Sequence, residues 1–487
     1  MGSSAKTTVI PEGDWDTEVA VIGAGPGGED CARELAAAGL RVSLVNEASL
    51  PGGECLWRGC IPSKTWRAAA DRIRERGEDG LLGVIGTSGA ALDWALLERF
   101  RRSLLQERGE MALNTDLKMK IDYIQARARF RGDHELELAL PDGGTRILSF
   151  GAAVIATGAP SFLPPIEGVA EAKASGALLT SETVWDLPER PGRLAIVGAG
   201  VIGMEMAQIF ADFGGEVVVV EMLDRILPEV EAEIARRLAG ALADAPGLTL
   251  HTSAKVESVG GEPGNATLRF ADSSGESREL LVDRVLMATG KRPRLGDLGL
   301  EAAGVGIEGG LVAVDAGCRT SAPHIFAVGD VVGGLMLAHT ASTQGRVAAG
   351  NILGAEAEYR EELDGGVVFT RPKAASAGLS LAQAKARGLD AAEMKYPTDL
   401  DPISQIHFER GGLFKIVAEK ETGRILGAHL LADHADALIG EAVGLLAAGA
   451  TLEDLAGAIH PHPTQTEIWG EMARRLLARL RRSAARF

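Results

Sequence analysis

The chain has 487 residues, 46% of them apolar and 24% charged, with a net charge of −17. That length exceeds what one hydrophobic core sustains and implies roughly two to four domains. The acidic balance opposes nucleic-acid binding, and no apolar run reaches the roughly 18 residues of a membrane-spanning helix. The opening stretch MGSSAKTTVIPEGDWD lacks the apolar core of a secretory leader. Four cysteines in the whole chain suit a reducing compartment, where a cysteine pair is more often redox-active than structural. A cytoplasmic protein is expected. Cys31 and Cys318 stand alone and read as buried packing residues.

The first predicted strand is Thr17–Ile22. Gly23-Ala24-Gly25-Pro26-Gly27-Gly28 follows, then a helix over Glu29–Ala38 stopped by Gly39, and a strand over Val42–Val45. Glycines 23, 25 and 28 let backbone N–H groups approach a pyrophosphate at a helix N-terminus. About 20 residues further on, this pattern calls for a carboxylate on a ribose hydroxyl. Asn46 stands there with Glu47 beside it. Either the asparagine accepts the hydroxyl bond or a one-residue slip presents Glu47.

Cys55 and Cys60 come next, in GGECLWRGCIPSK from Gly52 to Lys64, in a helix running on through Lys64–Arg76. Residues five apart in an ideal helix are separated by about 7.5 Å along the axis, beyond the roughly 4.4–6.8 Å between the Cα atoms of a disulfide. The pair can close only where the helix is distorted. Gly59 permits that, and Pro62 lacks the N–H that would bond Arg58. Beside a nucleotide fingerprint, the pair suggests a flavin next to a disulfide that opens and closes; a structural disulfide is the plainer alternative. Lys64, one turn past Cys60, would suit a reduced-flavin anion, though a surface lysine is the commoner role.

Apolar strands ending in Ala-Thr-Gly, Val154–Gly158 and Val285–Gly290, mark the chain leaving one domain and re-entering it. Between them lies a second copy of the first pattern. It comprises strand Leu194–Val197, turn Gly198-Ala199-Gly200-Val201-Ile202-Gly203, helix Met204–Phe213 and strand Val217–Val220. Two copies, each bracketed by strand and helix, imply two nucleotides. The carboxylate position is now Glu221, which would accept a 2′-hydroxyl and repel a 2′-phosphate; NAD is expected over NADP. A solvated acid at a strand end is the alternative.

Ile325–Asp330 reads as another buried strand, ending on an Asp330 placed to bond a sugar-like hydroxyl chain or to cap a helix. Leu337-Ala338-His339 precedes a helix over Thr340–Leu353, whose N-terminus would stabilise negative charge on a reduced ring. From about Tyr359 the pattern becomes α+β: strands Phe414–Val417 and Ile425–Leu431 around Glu421-Thr422-Gly423, helix Ala437–Ala448, then the loop His460–Glu467. There His462 can take and return a thiol proton while Glu467 fixes its tautomer, although a His-Pro-His-Pro loop is also an ordinary rigid loop. No metal site is expected, since no cysteine follows Cys318 and the spacing fits no zinc site. In the tail, arginines 474, 475, 479, 481, 482 and 486 accompany an apolar stripe of Leu476, Leu477 and Leu480. It is either a packed terminal helix with solvated arginines or a docking site for an acidic partner.

The two fingerprints, GGECLWRGCIPSK, both Ala-Thr-Gly segments, RTSAPHIFAVGD and HPHPTQTE occur in an order that resembles the flavoprotein disulfide reductases over nearly the whole chain. LFKIVAEKETGRILGAHLL, ATGKRPRLGDLGLE and VEMLDRILP are most similar to that family's dihydrolipoyl dehydrogenase branch. The resemblance implies an α/β fold with two Rossmann-like dinucleotide-binding domains, for FAD and NAD, and a C-terminal α+β dimerisation domain. The expected bounds are 1–160 and 290–358 for FAD, 161–289 for NAD, and 359–487 for dimerisation with the basic C-terminal helix. Candidate cofactor contacts are Gly23, Gly25, Gly28, Asn46, Glu47, Gly53, Lys64, Gly158, Gly198, Gly200, Gly203, Glu205, Glu221, Gly290, Asp330, Leu337, Ala338 and His339. Cys55 would be the interchange thiol and Cys60 the charge-transfer thiol beside the flavin. Glu205 would pair with Lys64, and His462, oriented by Glu467, would reach the active site of a second subunit.

The implied activity is reversible, FAD-dependent oxidation of a protein-bound dihydrolipoyl group by NAD, in a homodimer partnered by a lipoylated carrier and by neither nucleic acid nor membrane. An NADPH-dependent, glutathione-reductase-like enzyme is a second reading, opposed by Glu221. A redox-regulated binding subunit of a larger assembly is a third, opposed by the intact set Cys55, Cys60, Lys64, His462 and Glu467. The departures from the branch are Leu-Trp-Arg-Gly between the cysteines for Leu-Asn-Val-Gly, Glu54 for Thr, Asn46 for Glu, Gln344 for Glu, and Arg371-Pro372-Lys373 for a Thr-Pro-Glu type of sequence. They remove no redox group, and several surround the disulfide or the dimer domain. They point to a specialised branch serving a free-standing lipoylated carrier.

Overall fold

The computed structural model describes residues 9–484 apart from 83, 87 and 88. Residues 1–8 of the opening stretch and Arg486 of the basic tail lie outside the described residues.

The first fingerprint unit is β1 (Thr17–Ile22), α1 (Pro26–Ala37) and β2 (Val42–Asn46). Both strands are nearly continuous apolar runs because both faces of this parallel sheet are covered. Two helices follow, α2 (Gly53–Trp57) and α3 (Cys60–Glu78), then the long α4 (Trp94–Lys118). Strands β3 (Asp122–Gln125), β4 (Arg127–Gly132), β5 (Glu135–Ala139) and β6 (Thr145–Ile155) complete the sheet in the order β3-β2-β1-β6-β5-β4, with Ile325–Ala327 also pairing β6. The end of β6 lies parallel between β1 and Ile325–Ala327, while its start pairs antiparallel with β5. A chain that leaves and later returns therefore builds one sheet.

The second unit comprises α5 (Val169–Ser175), β7 (Leu178–Thr180), β8 (Arg193–Val197), α6 (Val201–Asp212), β9 (Glu216–Val220), α7 (Ala232–Ala243) and β10 (Leu248–His251). Its parallel sheet runs β10-β9-β8, then Arg284–Met287, then β7, with a three-stranded antiparallel sheet formed within Lys255–Val282. The C-terminal region is a five-stranded antiparallel sheet. Leu413–Glu419 and Ile425–Ala432 pair as predicted and are covered by helices Ala435–Ala448 and Glu467–Ala484.

The terminal helix buries Ile468, Trp469, Met472, Leu476 and Leu477 against that sheet. Arg474 and Arg475 reach Glu471 at 3.1 and 2.6 Å, and Arg481 lies 3.5 Å from Glu453. The apolar stripe is as expected, and acids on the same chain answer much of the basic face. Among the described residues no helix is long and apolar enough to cross a membrane.

Two predicted elements differ. The cysteine-bearing segment is not one helix: α2 ends at Trp57, Arg58 adopts φ −139° and ψ 6°, and α3 restarts at Cys60. The strand expected over Ile325–Asp330 ends at Ala327, and Asp330 lies in a 3-10 turn, Gly329–Val332, where Gly329 has a φ of +78°.

Candidate active site

The two fingerprint turns are built alike. In the first, Gly23 donates its N–H to the Val45 carbonyl at 2.8 Å, and a Cβ on Gly28 would lie 1.9 Å from the Gly23 oxygen. In the second, Gly198 donates to the Val220 carbonyl at 2.9 Å, and a Cβ on Gly203 would lie 2.0 Å from the Gly198 oxygen. No side chain fits at either position, so strand and helix approach closely. The N-cap residues, Gly25 and Gly200, have no side-chain cap, which leaves the first N–H groups of α1 and α6 to a ligand. Gly158 and Gly290, at φ +68° and +94°, lie just beyond the neighbouring strands Thr145–Ile155 and Arg284–Met287, and a Cβ on either would have nothing within 4 Å. These open glycine cradles fit two dinucleotides.

The acid position differs between the copies. Glu221 accepts the Ala199 N–H at 2.6 Å and the Leu223 N–H at 2.7 Å, which anchors its carboxylate at the turn. Asn46 takes the same place in the first copy: its Oδ1 accepts the Ala24 N–H at 3.3 Å and its Nδ2 donates to Tyr123 Oη at 3.0 Å. The register thus puts Asn46 against the turn. Glu47 points outward, 3.6 Å from Arg127.

The disulfide stands against the first cradle. Gly52, at φ +111°, donates to the Ala24 carbonyl at 2.7 Å, and a Cβ on Gly53 would meet the Gly25 Cα at 2.5 Å. From this fixed start, α2 carries Cys55 and α3 carries Cys60, with Cα atoms 4.7 Å apart and the sulfurs bonded. One turn along α3, Lys64 Nζ donates to Glu205 Oε2 of α6 at 2.8 Å and sits 4.1 Å above the Phe369 ring. Glu205 Oε1 accepts the Phe369 N–H at 2.9 Å. Side chains of both nucleotide units and of the C-terminal region therefore meet beside the disulfide.

Next to Cys55, Glu54 forms an ion pair with Lys291, the residue after Gly290. Burial pushes the Glu54 and Asp330 carboxyls up, and Lys291 opposes both shifts. Sequence reasoning missed Lys291; its one signal was the unusual acid at Glu54. Helix Ala338–Ile352 begins after Leu337, which caps it with backbone alone. The His339 ring turns to the Gly365 carbonyl at 2.7 Å and to Asp364 at 3.3 Å, and the Asp364 hydrogen bond raises its pKa.

His462 and Glu467 form a separate pair. His462 Nδ1 lies 3.1 Å from each Glu467 carboxylate oxygen, and Glu467 Oε2 accepts the Thr464 N–H at 2.9 Å. The Thr464 and His462 hydrogen bonds hold Glu467 below the usual carboxylate range. His462 is 75% exposed, whereas His460, bonded to Glu441 at 2.8 Å, is largely buried. Among the described residues no His, Cys, Asp or Glu cluster has the arrangement to hold a metal ion.

Two similarly built dinucleotide cradles, the first of them against a cysteine disulfide, are the frame of an oxidoreductase that works through a dithiol. The chain belongs to the pyridine nucleotide-disulphide oxidoreductase family, which residues 17–345 match, and residues 365–473 match that family's dimerisation domain. The family's cofactors are FAD and NAD, and its dimerisation domain makes a homodimer. The chain is 34% identical to a dihydrolipoyl dehydrogenase of Bacillus subtilis, over 96% of this chain and 97% of that one. It is 33% identical to that of Geobacillus stearothermophilus, over 94% and 96%. Similar solved structures are LpdA of Mycobacterium tuberculosis, with a TM-score of 0.85, and the HOCl-induced flavoprotein disulfide reductase RclA of Escherichia coli, with 0.81. Each is 27% identical and covers 94% of this chain and 99% of its own.

Proposed function

We propose that this chain is a dihydrolipoyl dehydrogenase, which reversibly oxidises a protein-bound dihydrolipoyl group with NAD. The observation that carries this reading is the Cys55–Cys60 disulfide closed across a helix break beside the Lys64–Glu205 pair. The near full-length likeness to dihydrolipoyl dehydrogenases supports it. FAD would be held by the first cradle, with Gly23, Gly25, Gly28, Gly53, Gly158, Asp330 and the Leu337–His339 helix start. NAD would be held by Gly198, Gly200, Gly203, Glu221 and Gly290.

His462 serves the disulfide of the second subunit. Its Nε2 takes a proton from one substrate thiol while Glu467 holds Nδ1 and stabilises the resulting imidazolium. The thiolate attacks Cys55 Sγ, breaking the Cys55–Cys60 bond and releasing Cys60 as a thiolate. The second substrate thiol then attacks the substrate sulfur bonded to Cys55, giving its proton to Nε2 as the imidazolium returns the first proton to the departing Cys55 Sγ. The lipoyl ring closes as a disulfide and Cys55 leaves as a thiol. Lys64, held by Glu205, supplies positive charge beside the electron-rich dithiol. When bound, FAD carries the electron pair from the dithiol to NAD.

The test is a single-turnover reduction. One equivalent of dihydrolipoamide, added without oxygen to FAD-loaded protein, should make Cys55 and Cys60 available to alkylation. A disulfide that stays closed to dihydrolipoamide yet opens with a stronger reductant would contradict the proposal. For the nucleotide, Glu221→Gln keeps an acceptor for one turn N–H but removes the charge. The preference for NAD over NADP in kcat/KM should narrow about tenfold or more, the scale of a hydrogen bond to a charged group; an unchanged ratio would remove Glu221 from nucleotide selection.

The carrier is an acidic, free-standing lipoylated protein that approaches the basic terminal helix. Deleting residues 481–487 should raise KM for such a carrier and leave free dihydrolipoamide unaffected, and an equal effect on both would refute the docking role.

A further inference from the structure

Between the two cysteines the backbone is tied to a distant part of the chain. The Arg58 carbonyl accepts the indole N–H of Trp185 at 2.8 Å, across 127 residues of sequence. The same N–H lies 2.7 Å from the Ser181 carbonyl, so two acceptors share it. Trp185 sits just ahead of β8, in the second nucleotide unit.

Trp185 is itself held from behind. Its ring lies 4.5 Å from that of Trp66 on α3, measured between centroids. Its carbonyl accepts Arg101 Nη2 of α4 at 2.9 Å, and the Arg101 guanidinium lies 5.6 Å from the ring centre. Glu98 grips Arg101 with both oxygens, at 2.9 and 2.6 Å, and accepts Trp66 Nε1 at 2.8 Å. All four side chains are buried. A buried ion pair whose members are also hydrogen-bonded to their neighbours is a stiff support.

The tie falls at the discontinuity of the cysteine segment. Neither helix extends through Arg58-Gly59, and a Cβ on Gly59 would already lie 3.2 Å from the Glu54 oxygen. When the disulfide opens, its sulfurs must move from a bond of about 2.05 Å to non-bonded contact. Arg58-Gly59 is where the two helices can shift to allow that.

We propose that Trp185 is a positioning residue for the Cys55–Cys60 pair: by holding the Arg58 carbonyl it keeps the helix break at the spacing of the closed disulfide, and so favours the disulfide over the dithiol. The inference rests on the reading of this pair as redox-active. It gives the second nucleotide unit a direct hold on the disulfide, separate from the Lys64–Glu205 contact.

The test equilibrates FAD-loaded protein with mixtures of reduced and oxidised dithiothreitol, quenches with acid and counts alkylated Cys55 and Cys60 by mass. In the exchange, dithiothreitol loses two electrons and two protons as its ring disulfide closes, and the protein pair gains them as two thiols. Trp185→Phe keeps the ring packing and loses the N–H. Its equilibrium should move about tenfold toward the dithiol, the scale of one hydrogen bond, or about 30 mV for a two-electron couple. Trp66→Phe removes the other indole N–H of the same cluster, which reaches Trp185 only through Glu98 and Arg101 and leaves the Arg58 bond in place; it should move the equilibrium clearly less than Trp185→Phe while lowering the melting temperature. Arg101→Lys, which loosens the Trp185 carbonyl but keeps the charge, should shift the equilibrium the same way as Trp185→Phe, and decides the matter should that variant not load FAD. An unmoved equilibrium in Trp185→Phe, or an equal shift in Trp66→Phe, would overturn the inference. Wild-type cysteines that stay oxidised in every mixture would instead overturn the redox reading beneath it.

Discussion

Cys60→Ser should abolish turnover of dihydrolipoamide while FAD stays bound and the fold is kept. Cys60 opens α3, and its bond to Cys55 gives the substrate thiolate a sulfur to attack. A serine hydroxyl cannot form that bond, so Cys55 remains a free thiol and is no electrophile. The loss in kcat should be at least about 10⁴-fold, in line with removal of an essential member of a covalent mechanism. The cradle proposed for the flavin is not altered, because Gly25 and Gly28 lie at the start of α1, Gly53 opens α2 and Gly158 follows β6, all outside α3. The check is steady-state NADH formation beside FAD stoichiometry and melting temperature. Turnover above about one hundredth of wild type in a FAD-loaded variant would mean that the pair does not carry the electrons.

The second large effect belongs to His462→Gln. His462 is exposed and aligned by Glu467 through Nδ1, which leaves Nε2 for the proton transfer proposed above. Removing a general base lowers kcat by about 10²–10⁴-fold. A readout beyond the rate separates this role from a packing defect. An unassisted thiol ionises near a pKa of about 8.5, so the variant's activity should rise steeply with pH toward that value as the substrate supplies its own thiolate. Reduction of the bound flavin by NADH uses no substrate thiol and should keep its wild-type rate. A loss that is equal at every pH, or that extends to flavin reduction by NADH, would remove His462 from the proton transfer.

Much of this architecture could be read from local chemistry. The fingerprint turns announced themselves because a Cβ at Gly28 or Gly203 would strike a carbonyl a few residues away, a constraint that lies within a short stretch of chain. The cysteine spacing showed that a continuous helix could not hold the pair, yet it did not show that the helix would stop at Arg58. Leu56, Trp57 and Arg58 are all acceptable helix residues, and the break answers to contacts with Trp185 and the first fingerprint. Asp330 was expected at a strand end and lies in a turn, because the positive φ of Gly329 ends the strand first.

What depends on distant pairs was not legible. Glu54 and Lys291 are 237 residues apart, and neither sits in a pattern that names the other. The Trp66, Trp185, Glu98 and Arg101 cluster joins α3, α4 and the approach to β8, and a helix such as α4 gives no local sign that its buried face carries an ion pair. The Asn46 and Glu221 positions fall between these cases. Their equivalence followed from the spacing, but the choice of Asn46 over Glu47 was settled by the Ala24 and Tyr123 hydrogen bonds.

The most direct test is NADH formation from free dihydrolipoamide by the FAD-loaded homodimer, run with NAD and with NADP. The account predicts fast turnover with NAD, little with NADP, and a reverse reaction in which NADH and lipoamide regenerate the dithiol. A protein whose flavin is reduced by NADH, but which neither oxidises dihydrolipoamide nor reduces lipoamide, would contradict it and assign the Cys55–Cys60 pair to a different disulfide.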